Sequence, residues 1–387
     1  MTIVMDAPVQ KDCPIDIEPC LDLVERNAER ARRDRMVPAE SVEAMRQSGL
    51  FRSFIPPQLG GIGATPQHWL KTLISLAERD MSTAWIGGII SVHAFQIALM
   101  DRETQEEVYG GNVDERVSSS YNPVGARTEV TDGGVMLHGR WGWSSGCDHC
   151  NWALLGAIVP GRPLLQTMLV PRSDYVIEDT WHVMGLQGTG SKDIVIEKPV
   201  FVPERHIHAQ MDGYNSLNDQ SDPIYSLPWA QIFAATVAAP SIGAARHGLR
   251  LFIEKASGSS SDPTKLMGDP DIVRRIAEAK ALIDRAEQGL LANFDMMTAH
   301  LHAGEPIPLI ERARCRYDTG TIATRMMQAI DLLFEVGGGR SVFNGHELQN
   351  IWHDIHITRA HVANNPVPFA RNYGNMVLGG DNVDFFI

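Results

Sequence analysis

The 387-residue sequence is short of positive charge, of cysteine and of long uninterrupted apolar runs. Its 34 Lys and Arg residues stand against 47 Asp and Glu residues, whereas nucleic acids and anionic membrane surfaces select basic patches. Five cysteines in so long a chain build no disulfide framework, which fits a reducing cytoplasm. The longest apolar stretch, Trp85 to Met100, is interrupted by His93 and Gln96, and the N-terminus lacks a basic-then-apolar signal pattern. We therefore expect a cytoplasmic globular protein with neither nucleic acid nor membrane as partner.

The common nucleotide and metal motifs are also missing. No Gly-x-Gly-x-x-Gly opens a helix after a strand, so no Rossmann site for NAD is visible, and a redox enzyme of this sequence would take its electrons from elsewhere. The run from Gly185 to Lys192 is not a phosphate loop, because its Lys follows its Ser and strands are predicted on both sides. Cys147 and Cys150 flank Asp148-His149, but no second Cys-x-x-Cys completes a zinc site. We predict a turn at a strand end there, and no metal.

What is present is a helix, strand, helix order along the chain. Helical spacing runs from about Ile17 to Gly110, short strands punctuated by Gly and Pro follow from Val113, and helical spacing returns after a polar connector. This order predicts an α+β fold with an N-terminal α-helical domain over 1–112, a middle β domain over 113–210 and a C-terminal four-helix bundle over 211–387. The four bundle helices are predicted at 230–256, 272–303, 310–336 and 347–364, with a loop at 257–271.

Two features of the strands and helices suit a ligand site. The aromatic strand Trp141-Gly142-Trp143 ends in Ser144-Ser145-Gly146, and an apolar plane beside hydroxyls suits a flat heterocycle such as isoalloxazine. A buried strand with capped hydroxyls explains the same residues equally well. His93 lies in an apolar helix and His361 near the C-terminus, and each alone is typical of a structural histidine. The two histidines have a functional role only if they converge on the same pocket.

Several stretches resemble the acyl-CoA dehydrogenase fold: Ile55 to Gly63, Gly185 to Ser191 followed by Phe201-Val202-Pro203, and Gly337-Gly338-Gly339 before Trp352 to His356. The run GRWGWSSGCDH at 139–149 is more specific, and Gly188 to Asp193 agrees with it. It resembles the flavin monooxygenases of this fold, the oxygenase components of two-component systems such as 4-hydroxyphenylacetate 3-hydroxylase, secosteroid phenol hydroxylase and dibenzothiophene monooxygenase. The resemblance extends from about Asn27 to Leu378 and implies the three predicted domains assembled as a homotetramer.

The absence of acidic residues from two late stretches decides between branches of that fold. The dehydrogenases keep a glutamate base at one of two places late in the chain. Here no Asp or Glu occurs between Asp222 and Glu254, nor between Asp354 and Asp381. The resemblance therefore implies a monooxygenase. The alternatives are an N- or S-oxygenase on the same fold, a dehydrogenase with an unusually placed base, and a flavin-binding protein without turnover.

The resemblance also implies a chemistry and a set of residues. A separate NAD(P)H-dependent flavin reductase would supply reduced FMN, or FAD, which forms a C4a-hydroperoxyflavin with O2 and hydroxylates a small phenolic substrate. Ser144 would lie near flavin N5, His361 would accept the phenol proton, and His93 would orient the phenol or the peroxide. Trp85, Trp141 and Trp143 would keep the pocket dry. The residues implied in flavin binding are Trp85, Ser118, Ser119, Ser120, Trp141, Ser144, Ser145, Gly146, Ser191, Gly338, Gly339 and Arg340.

Overall fold

The computed structural model describes residues 15–258 and 268–387, and the chain in these ranges begins with five α-helices. They are α1 Glu18–Asp34, α2 Ala39–Gln47, α3 Pro66–Ala77, α4 Met81–Ala98 and α5 Arg102–Tyr109. Asp80 begins α4, because its carboxylate accepts the free backbone N–H of Thr83. Every residue of α4 is buried. It is the one helix of the described ranges that is long and apolar enough to cross a membrane, and its whole length lies inside the protein.

Eight strands follow and form two four-stranded sheets. One sheet has the order β1-β4-β5-β8 and the other β2-β3-β7-β6. The predicted hairpin turn at Asp132-Gly133 joins β2 to β3, and Gly133 takes the φ of +73° that such a turn requires. The short strands β6 and β8 were not predicted. The bounds are β1 Val117–Ser120, β2 Ala126–Thr131, β3 Gly134–Ser144, β4 Trp152–Ala157, β5 Gln166–Pro171, β6 Val176–Glu178, β7 Lys192–Pro203 and β8 Ile207–Ala209.

The C-terminal part of the chain is helical, as predicted, but the last predicted helix ends earlier than expected. They are α6 Trp229–Gly258, α7 Pro270–His302, α8 Leu309–Phe334, α9 Glu347–Thr358 and α10 Pro366–Val377. The helix predicted over 347–364 ends at Thr358, before its predicted end. Pro366 begins the next helix, and Asn365 has the extended conformation that residues before proline favour, so no single helix runs through this segment. His361 therefore caps a 3-10 turn at Val362–Asn364 instead of lying on a helix. Most of the loop predicted at 257–271, residues 259–267, lies outside the described residues.

Two apolar cores hold these elements together. One core lies between the two sheets, and the other is shared by the N-terminal and C-terminal helices. Glycines allow α6 to approach two N-terminal helices closely. A Cβ on Gly88 of α4 would lie 2.9 Å from Thr236 of α6, and a Cβ on Gly243 of α6 would lie 2.1 Å from the carbonyl oxygen of Ile74 in α3. This packing sets α4 directly beside α6. The boundaries of the three predicted domains stay a prediction.

Candidate active site

A cluster of hydroxyl groups joins α4, the end of β3 and the loop before β7. Trp85 Nε1 donates to Ser145 Oγ at 3.1 Å, and Ser145 Oγ lies 2.7 Å from Ser191 Oγ. Ser191 Oγ also lies 2.7 Å from Thr189 Oγ1. All four side chains are buried, and each hydroxyl can donate one hydrogen bond while it accepts another. We call Trp85, Ser145, Thr189 and Ser191 the hydroxyl cluster.

Ser144 differs from its neighbours because its hydroxyl has no partner. The side chain is fully buried, and Ser144 Oγ makes no hydrogen bond within the described residues. Gly146 follows in the left-handed conformation (φ +69°), and a Cβ there would lie 3.3 Å from Ile86 Cβ. A buried polar group without a partner is costly, so a ligand N–H at Ser144 would relieve an existing deficit. These residues therefore fit the ring of a flavin.

Two predicted pocket residues lie elsewhere. Trp141 is a core residue between the two sheets, where its Nε1 donates to Gly156 O at 2.8 Å. Trp143 is 64% exposed and lies in a bulge of β3 with a φ of +65°. The bulge lies after Trp141 and exposes Trp143, whereas Trp141 packs between the sheets by the ordinary alternation of the strand. No hydrogen bond joins either indole to the hydroxyl cluster within the described residues, and their part in drying the pocket stays a prediction. Of the three predicted tryptophans, the structure places Trp85 in the cluster.

The remaining predicted flavin contacts fall in two groups. Ser118, Ser119 and Ser120 are buried on β1, where Ser120 Oγ donates to Gly142 O at 2.6 Å and so fixes the strand that leads to Ser144. Gly338, Gly339 and Arg340 lie in an exposed turn before α9. Within the described residues, no recorded hydrogen bond or ion pair joins this turn to the hydroxyl cluster. Its assignment to the flavin stays a prediction.

The two predicted histidines lie at opposite ends of one row of aromatic rings. The ring of His361 lies 5.8 Å from Trp85 and 6.1 Å from Phe233, measured between centroids. Phe233 stacks on Trp229 at 5.3 Å, and Trp229 lies 6.4 Å from His93. The row connects the hydroxyl cluster to the interior of α4. The structure thus places His361 against Trp85 and places His93 two rings away from His361. That the two histidines share one pocket stays a prediction.

Hydrogen bonds assign opposite tautomers to the two histidines. His93 Nδ1 lies 3.0 Å from Val117 O and must carry the proton, which leaves Nε2 as an acceptor that has no partner among the described residues. His361 Nδ1 instead accepts the N–H of Ala363 at 3.2 Å, so Nε2 carries the proton of the neutral ring. Burial lowers the pKa of each histidine to about 4, and the charge of Arg316 adds to this effect at His361. In this conformation His361 is a donor, the opposite of its predicted proton-accepting role.

Sequence reasoning missed two rings of the aromatic row that contacts His361. Trp229 and Phe233 are four residues apart at the start of α6, a spacing that places them on one helix face. Both lie in the first stretch without acidic residues, and His361 lies in the second. The contact between Phe233 and His361 therefore brings the two stretches together. The i,i+4 aromatic pair was the available signal.

The Cys147–His149 segment is a 3-10 turn at the end of β3, as predicted. Burial raises the pKa of the Cys147 thiol to about 12 and raises the pKa of Cys150 further, which keeps both thiols protonated and unreactive. Among the described residues, no group of three or more His, Cys, Asp or Glu side chains is arranged to hold a metal ion.

Comparisons with known proteins show the family of this chain. A family model described as the acyl-CoA dehydrogenase C-terminal domain matches residues 235–366. The chain is 39% identical over 355 residues to the flavin-dependent monooxygenase oxygenase subunit HsaA of Rhodococcus jostii (strain RHA1), covering 89% of this chain and 92% of the relative. It is 29% identical over 377 residues to the FADH2-dependent resorcinol hydroxylase oxygenase component of Rhizobium sp. (strain MTP-10005), covering 92% of each.

A solved structure extends the likeness to three dimensions. The crystal structure of 3-HSA hydroxylase from Rhodococcus sp. RHA1 matches with a TM-score of 0.90 and 36% identity, over 96% of this chain and 97% of that chain. Identity at this level over most of both chains shows the family. The chain therefore belongs to the flavin-dependent monooxygenases, as an oxygenase component on the acyl-CoA dehydrogenase fold.

Proposed function

We propose that this chain uses reduced FMN or FAD and O2 to hydroxylate a phenolic substrate in the pocket between α4, α6 and the His361 turn. A separate NAD(P)H-dependent flavin reductase would supply the reduced flavin. The relatives support this proposal, since one is named as a FADH2-dependent resorcinol hydroxylase oxygenase component. The observation that carries it is the buried Ser144 hydroxyl, which has no partner among the described residues and adjoins Ser145 in sequence. Ser145 Oγ accepts from Trp85, and the Trp85 ring lies 5.8 Å from His361.

The residues of the chain would bind the flavin and exclude water. Reduced flavin, when bound, activates O2 for transfer to an electron-rich ring. Ser144 Oγ is the free acceptor for a flavin N–H, and Trp85 is held in place by its bond to Ser145. The buried rings of Trp85, Trp229 and Phe233 limit proton exchange with bulk water, which otherwise diverts activated oxygen to hydrogen peroxide.

The substrate would lie against His361. A phenol ring fits between aromatic side chains, and His361 Nε2–H is an available donor for the phenol oxygen. His93 would orient the far end of the site, because its unpaired Nε2 can accept a hydrogen bond. A hydrogen bond to the phenolate oxygen keeps the ring in one orientation and thereby fixes the carbon that is hydroxylated.

Assembly and location are part of the proposal. We infer a homotetramer, because large apolar side chains stay exposed on this chain at Phe343 (69%), Val362 (79%) and Leu378 (90%). Phe343 lies close in sequence to the exposed turn at Gly338, so a neighbouring subunit could bring that turn to a flavin. The acidic net charge and the buried free cysteines of the described residues fit the cytoplasm.

The test supplies reduced FMN or FAD with a panel of phenols, and measures oxygen uptake and product mass. Hydroxylated product in proportion to oxygen consumed is expected, with no turnover from NADH unless a reductase is added. Anaerobic bleaching of bound flavin by an acyl-CoA, with no reductase, would instead identify a dehydrogenase. Tight binding of oxidised flavin without oxygen consumption would identify a binding protein.

A further inference from the structure

Arg316 of α8 is a fully buried cation without an ion pair among the described residues. Its Nη2 donates to Ala363 O at 2.8 Å, while Nε and Nη1 have no hydrogen-bond partner in the described ranges. The guanidinium lies 3.5 Å from the ring centroid of Phe369. A buried charge that no carboxylate neutralises is unfavourable for folding. Burial of the Arg316 charge therefore lowers the free energy of unfolding.

Ala363 connects this charge to the proposed substrate site. Its carbonyl accepts from Arg316, and its N–H donates to His361 Nδ1 at 3.2 Å. The two bonds fix the turn that carries His361, and with it the direction of Nε2–H. Arg316 also lowers the pKa of His361 by its charge, so its field reaches the imidazole.

Charged groups of both signs lie around this turn, and the charge of Arg316 is the one that acts on the pKa of His361. Asp384 of the C-terminal segment is the carboxylate whose charge acts on Arg316, without forming an ion pair with it. Arg359 at the end of α9 donates to Asn365 Oδ1, and Arg312 of α8 donates to Ile387 O. An anion placed beside His361 therefore lies in a positive field inside a low-dielectric interior, where charges interact strongly.

We propose that Arg316 stabilises the phenolate form of a phenol bound against His361, through space, and holds His361 as the hydrogen-bond donor to the phenolate oxygen. The same field that disfavours a protonated imidazole favours an anion at that place. The phenol loses its proton to solvent as it binds, because His361 Nδ1 already accepts from Ala363 and Nε2 already carries a proton. Phenolate is the more electron-rich form of the ring and attacks an electrophilic oxygen more readily. Arg316 is then a positioning residue, and the assignment rests on the proposed hydroxylation of phenols.

The test measures the ionisation of a bound phenol without turnover. The phenolate of 4-nitrophenol absorbs visible light, so a pH titration of its difference spectrum with the purified chain gives its bound pKa. We expect that pKa to lie below the value of the free phenol, and to rise by about one unit, a tenfold change in the ratio of phenolate to phenol, in Arg316→Gln. Arg316→Lys should keep most of the effect because it keeps the charge.

Two further variants control the interpretation. Arg371→Gln removes an exposed positive charge from α10 and should leave the bound pKa unchanged. Asp384→Asn removes the opposing carboxylate and should lower the bound pKa further, without disturbing the buried arginine. If Arg316→Gln does not fold, as judged by circular dichroism, the Arg316→Lys and Asp384→Asn results decide.

The outcomes separate this assignment from the proposed function. An equal bound pKa in the parent and Arg316→Gln, or an equal rise in Arg371→Gln, overturns the role of Arg316. An unchanged pKa in Asp384→Asn overturns it also. If the parent protein does not bind 4-nitrophenol at all, the phenol pocket itself is wrong, and the assignment fails with it.

Discussion

Replacing Ser144 by alanine should separate cofactor binding from protein stability. The buried hydroxyl has no partner among the described residues, so the change removes no internal hydrogen bond. Since an unpaired buried polar group costs about 1–3 kcal/mol, Ser144→Ala should leave the free energy of unfolding unchanged or raise it by about 1 kcal/mol. Loss of an acceptor for a flavin N–H should weaken reduced FMN binding by about 1 kcal/mol, or about fivefold.

The two effects are measured on the same preparation. Urea unfolding without flavin gives the free energy of unfolding, and anaerobic titration with reduced FMN gives the dissociation constant. With a phenol and O2 present, Ser144→Ala should also release more hydrogen peroxide per oxygen consumed, since a less firmly held flavin protects activated oxygen less well. Peroxide is measured by a coupled peroxidase assay and product by mass.

Ser145→Ala is the matched control, one residue along the same strand end. Ser145 Oγ accepts from Trp85 and contacts Ser191 Oγ, so its removal leaves the buried Trp85 Nε1–H without a partner, while Ser191 Oγ keeps only Thr189 Oγ1. This variant should lose about 1–3 kcal/mol of stability. The reasoning on Ser144 is refuted if Ser144→Ala is destabilised as much as Ser145→Ala, or if it binds reduced FMN as tightly as the parent.

Three other changes follow from the same geometry. His361→Asn keeps an acceptor for the N–H of Ala363 but removes the Nε2–H donor. Hydroxylated product per oxygen consumed should fall by about 10- to 100-fold, while the free energy of unfolding stays unchanged. An equal yield of product would refute the donor role. Gly146→Ala should lose about 1–2 kcal/mol in urea unfolding because φ is +69°, and unchanged stability would contradict the strain. Burial lowers the pKa of His208 from 6.5 to about 4. The free energy of unfolding should therefore fall by about 3 kcal/mol as the pH drops from 6.5 toward 4, because the unfolded chain binds a proton that the buried imidazole does not. His208→Gln should flatten that decline, and an unaltered profile of stability against pH would disprove it.

The order of helices and strands could be predicted because periodicity is a local property. Helical and strand spacing placed nearly every element, and the glycine motifs supplied the fold. The short strands β6 and β8 and the helix α10 were not predicted. The helix predicted to run to 364 ends at Thr358, although apolar spacing continues past that residue. The break matters because it makes His361 the cap of a turn and fixes its tautomer.

The site was predicted less completely because its contacts are not local. Trp85 and Ser145 are 60 residues apart, and Ser145 and Ser191 are 46 apart, so no spacing rule connects them. The bulge in β3 shows the same limit. A strand is predicted with side chains that alternate strictly between its two faces. That pattern does not show that Trp143 takes a positive φ in a bulge and is exposed.

The two stretches without acidic residues have a physical explanation in the structure. They meet where Phe233 contacts His361, close to the uncompensated charge of Arg316. A carboxylate here would form an ion pair with Arg316 and cancel the positive field. A dehydrogenase requires a carboxylate base to remove a proton from carbon, whereas an oxygenase of phenols benefits from a site that favours the substrate as the anion. On the role proposed for Arg316, the lack of Asp and Glu in these two stretches keeps its positive field at His361.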